Sequence, residues 1–108
     1  RNQKIIKSMN KLSNDQIPII SLFITGRPLV VDQELNLSHA FVSIWHPGSA
    51  VEGINDVIFS SKNNSINYDF KGKLPYSWPS SSSINPLNIG DENYNPLFEY
   101  GYGLSYQD

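Results

Sequence analysis

The stretch Pro18-Ile-Ile-Ser-Leu-Phe-Ile-Thr-Gly-Arg-Pro28 restricts the fold of this chain more than any other. Five of the eight residues from Pro18 to Thr25 are Ile, Leu or Phe, which predicts a strand buried on both faces, as in a parallel sheet covered by helices. Gly26 lets the backbone turn and Pro28 withholds a ladder N–H, so the strand must end there. In open α/β sheets ligands sit at that carboxyl edge. Arg27 is therefore a candidate site residue, able to clamp a carboxylate, a phosphate or a sugar hydroxyl. The plainer role for it is to tie the turn to backbone carbonyls or a nearby acid.

A second unit repeats the pattern. Ala40-Phe-Val-Ser-Ile-Trp45 is again apolar and β-prone, and it stops at His46-Pro47-Gly48-Ser49. Ser49 is placed to cap a helix from about residue 50 to 59, with Val51, Ile54 and Ile58 at i, i+3, i+7 facing a core. Between the strands, Asp32 is placed to cap a segment of about two turns ending at Leu37. Upstream, residues 1 to 13 carry Ile5, Met9 and Leu12 at i, i+4, i+7, with Lys4, Lys7 and Lys11 on a solvated face, predicting an amphipathic helix that Asn14-Asp15-Gln16 ends. Strand, turn, helix, strand, turn, helix predicts a right-handed parallel crossover. Two strands alone do not make a stable sheet, so further strands are expected from residues after 60 or from chain beyond this sequence. The start at Arg1, inside what reads as a helix, is consistent with a piece of a longer polypeptide.

From Ser60 onward the periodicity is lost. Turn clusters alternate with Tyr76-Ser-Trp78-Pro79 and with an Asn-, Gly- and Tyr-rich end carrying Tyr94, Phe98, Tyr100, Tyr102 and Tyr106. This reads as an irregular segment that wraps a larger body, its aromatic rings filling grooves.

Composition excludes several classes. A formal net charge of −2 and 17% charged residues, with no Lys/Arg cluster, leave no electrostatic footprint for nucleic acid or an anionic membrane surface. The absence of Cys removes disulfides, thiolate metal sites and Cys nucleophiles. Nothing here calls for a cofactor.

The remaining candidates are few. His46 stands at the carboxyl edge of the second strand, while His39 lies at its other end, roughly 23 Å away at the usual rise per residue, so the two cannot share a metal. His46 could line a pocket or donate a hydrogen bond. Trp45 and Trp78 could stack on the CH face of a pyranose, or simply pack a core or domain contact. Glycosidase chemistry needs two carboxyls roughly 5 to 9 Å apart. Asp91-Glu92 are adjacent in a loop, and Glu52 and Asp56 are an i, i+4 pair typical of a solvated helix face. No carboxyl is assigned a catalytic role. Pro47-Gly48-Ser49 before a helix could hold an anion, but a single glycine is weak beside a true phosphate loop.

Five segments in order, Ile24-Thr-Gly-Arg-Pro-Leu-Val-Val31, Trp45-His-Pro-Gly-Ser49, Asp56-Val-Ile-Phe59, Gly72-Lys-Leu-Pro-Tyr-Ser-Trp-Pro79 and Tyr94-Asn-Pro-Leu-Phe-Glu-Tyr-Gly-Tyr-Gly-Leu-Ser-Tyr106, together resemble the family 3 glycoside hydrolases. Phe70 to Pro79 and Asn88 to Tyr94 are most similar to the exo-β-glucanase branch of bacteria and cereals. The resemblance implies an α/β fold: the second half of a C-terminal three-layer α/β sandwich with a mainly parallel sheet, followed by an irregular aromatic-rich wrap. Residues 1-108 would then be one partial domain, with a helix/strand core over 1-60 and a wrapping segment over 61-108. It also implies a retaining β-glucosidase or exo-β-glucan hydrolase as the parent, acting on a β-glucan or β-glucoside in the periplasm or medium. The nucleophilic Asp, from a barrel domain, and the acid/base Glu would fall upstream of Arg1. This segment would then be inactive scaffold and interface, with Arg27, Trp45, His46 and Trp78 at a pocket or domain contact. One departure stands out: the family often has Gly-Ser-Glu-Gly after Trp-Leu-Pro, whereas His46 replaces the Leu here and Ala50 stands in place of the Glu. The competing expectation is a non-catalytic carbohydrate-binding or interaction module using Trp45, Trp78 and the tyrosines. Self-association along an unpaired sheet edge is a third.

Overall fold

The computed structural model describes residues 2–83 and 87–108, so Arg1 and the wrap residues 84–86 lie outside it. The elements, in order, are helix α1 (Asn2–Leu12), strand β1 (Ile20–Phe23), helix α2 (Asp32–Leu37), strand β2 (Ala40–Ser43), a 3-10 turn (Gly48–Ala50) and helix α3 (Gly53–Ile58). β1 and β2 pair in parallel, Ile20 opposite Ala40 through Phe23 opposite Ser43. Hydrogen bonds from Ile44 N–H to the Phe23 carbonyl and from Thr25 N–H to the Trp45 carbonyl carry the pairing past the ends of both strands. The fold is a small α/β unit with helices on a parallel pair, as the alternation of apolar runs and capped segments predicts.

α1 ends where Asn14 and Asp15 adopt positive φ of 50° and 58°, a conformation their short polar side chains tolerate. It is fastened to α2 by hydrogen bonds from Gln3 Nε2 to Glu34 Oε1 and from Asn10 Nδ2 to the Leu37 carbonyl. At the entry to the sheet, Ile19 N–H donates to His39 Nδ1 at 2.9 Å and His39 N–H donates back to the Ile19 carbonyl at 2.8 Å. The imidazole proton is thereby assigned to Nε2.

Three local expectations are corrected. Asp32 is the first residue of α2 and not its cap; Val31 holds the cap position, and the Asp32 carboxylate turns away to a distant loop. Ser49 does not cap a helix beginning at residue 50. It lies within the 3-10 turn, and α3 starts at Gly53 after Glu52, without a side-chain cap. The strand from Pro18 to Thr25 is not buried on both faces: β1 is only four residues long, its Ser21 and Phe23 are half-buried, and Ile20 and Leu22 are exposed. A continuous apolar run predicts a strand but does not itself supply the cover for both of its faces.

The same openness holds elsewhere. Ile5, Met9 and Leu12 on α1, and Val51 before α3, are exposed, while Ile54 and Ile58 are half-buried. The buried apolar residues among those described are Ile19, Val31 and Trp78. The radius of gyration is 15.7 Å, against about 13 Å for a compact domain of this length.

From Ser60 onward the described residues contain no helix and a single antiparallel bridge, Trp78 to Phe98. This segment doubles back on itself. Leu74 N–H donates to the Tyr102 carbonyl, Gly101 N–H to the Leu74 carbonyl, Trp78 N–H to the Phe98 carbonyl and Leu97 N–H to the Trp78 carbonyl, at 2.7–2.8 Å. Side chains add further ties. Tyr94 Oη meets Ser77 Oγ at 2.6 Å, Phe98 stacks on Tyr102 at 4.5 Å, and Tyr106 Oη donates to the Val57 carbonyl at the end of α3. Asp69 Oδ1 accepts the N–H groups of Phe70 and Tyr106.

Candidate functional site

The carboxyl edge of the parallel pair brings together three of the four sequence candidates and sets the fourth beneath them. Thr25, only 6% exposed, organises the first turn: its Oγ1 donates to the Arg27 carbonyl at 2.6 Å and accepts the Arg27 N–H at 3.3 Å. The turn is therefore braced by a threonine hydroxyl, and not by Arg27. The Arg27 side chain is exposed, and among the described residues its guanidinium has no hydrogen-bond or ion-pair partner.

His46 leaves the second strand and lies over that turn. A Cβ built at Gly26 would meet His46 Nε2 at 2.9 Å, so the absence of a side chain at 26 is what lets the imidazole approach the backbone. Trp45, immediately before it, has φ of 52°, an outlier for a bulky residue that surrounding structure must impose. Two contacts do so: its carbonyl accepts Thr25 N–H at 3.2 Å, and its ring packs on Trp78 with centroids 5.9 Å apart.

Trp78 is not a sugar platform. It is 3% exposed, its Nε1 donates to the Leu29 carbonyl at 2.7 Å, and its ring lies 6.1 Å from Phe23, which in turn packs on Phe41 at 5.4 Å. It pins the returning segment under the sheet edge. The edge thus presents Arg27, His46 and a half-buried Trp45 above a tryptophan floor.

Some of the described carboxylates hold turns, and others join distant segments. Asp91 Oδ2 accepts Asn88 N–H, and Asp108 Oδ2 accepts Ser105 N–H, a bond that holds the Asp108 carboxyl below its ordinary range. Asp32 Oδ2 accepts both the N–H and the hydroxyl of Ser81, at 2.9 and 2.7 Å, joining α2 to the loop across 49 residues. The Ser81 backbone bond, then its hydroxyl, hold the Asp32 carboxyl below the usual aspartate range. Among the described residues there is no group of three or more His, Cys, Asp or Glu that could hold a metal ion.

A prediction follows for Asp32. Because its pKa is depressed in the folded chain, the stabilisation is complete above the unfolded value, roughly pH 4, and is lost as pH falls through the lower folded value. Asp32→Asn is expected to cost on the order of 1 kcal/mol at neutral pH, since the pair is partly solvated. In chemical denaturation measured from pH 7 down to pH 2, the variant and the parent should converge at the acid end.

The family model described as the glycosyl hydrolase family 3 C-terminal domain matches residues 1–106. This chain belongs to glycoside hydrolase family 3. Family 3 relatives include a periplasmic β-glucosidase of Salmonella typhimurium (strain LT2), 32% identical over 111 residues and covering 82% of this chain. β-Glucosidase C of Emericella nidulans is 30% identical over 95 residues, covering 85% of the chain. Among solved structures, a mutant of the exo-1,3/1,4-β-glucanase ExoP from a Pseudoalteromonas species superposes with a TM-score of 0.87 at 46% identity over 98% of the chain. The unmutated ExoP gives 0.83 over 96%. This family 3 chain spans 14% of each curated relative and 13–17% of the ExoP chains. The motifs quoted from Ile24 to Tyr106 thus point to the right family, and the α/β architecture matches that of the solved relative.

Sequence reasoning misses Thr25, and at Gly26 it foresees the turn but not the imidazole of His46 that packs there. Both sit inside the motif that makes Arg27 prominent, and a signal for the first exists: a Ser/Thr two residues before a turn residue forms hydroxyl turns to the backbone. The Asp32 to Ser81 contact leaves no local signal, because its partners are 49 residues apart.

Proposed function

We propose that this chain is scaffold and domain interface within a retaining β-glucosidase or exo-β-glucan hydrolase that removes terminal β-glucosyl residues. Its nucleophilic Asp and acid/base Glu are assigned to sequence upstream of Arg1. The observation that carries the reading is 46% identity to an exo-1,3/1,4-β-glucanase over nearly the whole chain. In the retaining reaction, two carboxyls roughly 5 Å apart form and then hydrolyse a covalent glycosyl-enzyme. The carboxylates described above cap turns and join loops, which suits a supporting segment.

Residues 1–60 form the helix/strand core of the partial domain and 61–108 its wrap. The open apolar faces of α1 and β1 receive the remainder of the sandwich, and the edge bearing Arg27, Trp45 and His46 faces the barrel domain. The substrate is a β-glucan or β-glucoside. A polymeric substrate and a periplasmic relative support export of the parent to the periplasm or the medium.

The full-length parent should release glucose from an aryl β-glucoside, with the β-anomer as first-formed product by NMR, while residues 1–108 alone release none. A parent without this activity would remove the glycosidase reading. Sugar release by the isolated chain would show that the catalytic carboxyls had been placed wrongly.

A further inference from the structure

Three features of the carboxyl edge converge on one turn, and the packing beneath it accounts for none of them. The backbone of Arg27 is fixed: the Thr25 hydroxyl bonds both its carbonyl and its N–H, and Pro28 follows with φ set by its ring. The Arg27 guanidinium is nevertheless exposed and unpaired among the described residues. Next to this turn, Trp45 takes a left-handed φ of 52°, and the chain folds back so that a Cβ built at Gly26 would lie 2.9 Å from His46 Nε2. Strain of this kind in a bulky residue collects at sites where a side chain must be aimed. A strained tryptophan and a missing Cβ together set an imidazole beside the turn that carries the free guanidinium.

We propose that Arg27 and His46 form a cradle for a carboxylate of the barrel domain, an ion pair that closes the contact between the two domains. The inference rests on the reading above that this edge faces the barrel, and it deepens that reading by naming the chemical group met there. A guanidinium matches a carboxylate with two parallel N–H donors, and an imidazole N–H supplies another from the side. The described chain engages its own acids elsewhere: the carboxylates of Asp32, Glu34, Asp56, Asp69, Asp91 and Asp108 each accept other hydrogen bonds. A neutral glucan would leave the guanidinium charge unmatched, so the edge fits an acidic side chain better than it fits substrate. Because Thr25 presets the backbone, ordering on contact is confined to the side chains.

The test is zero-length crosslinking of the full-length parent carrying Arg27→Lys. A water-soluble carbodiimide activates a carboxyl group and joins it to a lysine amine in contact with it, with loss of water. Peptide mass mapping should find residue 27 joined to an Asp or Glu of the barrel domain. In parallel, Arg27→Gln should lower the melting temperature of the parent by roughly 3–6 °C at low salt, a gap that narrows in about 0.5 M salt as ions screen the pair. Lys62→Gln, at an exposed cation away from the edge, should melt with the parent. Residue 27 without a crosslink, or crosslinked only within residues 1–108, would overturn the proposal. So would an Arg27→Gln variant that melts with the parent at low salt; a raised KM for an aryl β-glucoside in that variant would give the guanidinium to substrate. A parent inactive on aryl β-glucosides would overturn the glycosidase reading alone, since the crosslink does not depend on turnover.

Discussion

Trp78→Ala in the full-length parent is expected to destabilise the domain by about 3–5 kcal/mol, the range for deleting a buried aromatic side chain. Trp78 is the most buried of the large side chains described, and four residues from elsewhere in the chain converge on it. Its ring touches Phe23 of β1 and Trp45 beyond β2, its indole N–H holds the Leu29 carbonyl, and its backbone makes the bridge to Phe98. Removing the ring opens a cavity under the sheet edge and leaves Trp45 in its left-handed conformation with only the Thr25 bond to hold it. Trp78→Phe separates the two contributions. It keeps an aromatic ring but loses the N–H, and should cost about 1–2 kcal/mol. Urea denaturation followed by far-ultraviolet circular dichroism would measure both. An alanine variant within about 1 kcal/mol of the parent, no more than one ordinary hydrogen bond is worth, would show that the edge does not depend on this pin.

Gly103→Ala is expected to cost about 3 kcal/mol, although it adds a single methyl group at a half-buried position. The added Cβ would lie 2.1 Å from the Gly72 carbonyl oxygen and 3.1 Å from Lys73 Cδ. The first partner is backbone and cannot rotate away, so the arms must separate. That movement also breaks the Leu74 to Tyr102 bond and the Lys73 Nζ bond to the Gly103 carbonyl. Gly53→Ala is the control. No atom lies within 4 Å of the position a Cβ would take there, φ is ordinary, and the residue opens α3, so alanine should be neutral or stabilising by about 0.5 kcal/mol. Thermal unfolding of the three proteins in parallel distinguishes a clash at one point from a general intolerance of glycine replacement.

The elements are legible in proportion to how local their causes are. α1, the two strands and α2 follow from apolar spacing and from breakers such as Asn14 and Gly26. Helix starts are misread at Asp32 and Ser49 because a capping side chain can be recruited elsewhere: Asp32 is recruited by Ser81, and Ser49 is taken up in a 3-10 turn. At the sheet edge, Arg27, Trp45 and His46 stand out because they follow apolar runs. Their roles do not, since Arg27 braces nothing described, Trp78 is floor and not platform, and Thr25 does the bracing. The doubling back of residues 74–78 on 97–102 is invisible in the sequence because it depends on hydrogen bonds between residues some 20 to 30 positions apart.

The sequence by itself determined the family, the parallel strand pair and the points where the chain turns, because these depend on motifs in order, on side-chain periodicity and on the backbone limits of glycine and proline. Only the tertiary structure decided which faces are covered and which aromatic rings reach solvent. Those outcomes depend on contacts between distant segments, on Trp78 closing over Leu29 and on Gly103 lying against Gly72, and no local pattern encodes a partner that lies tens of residues away.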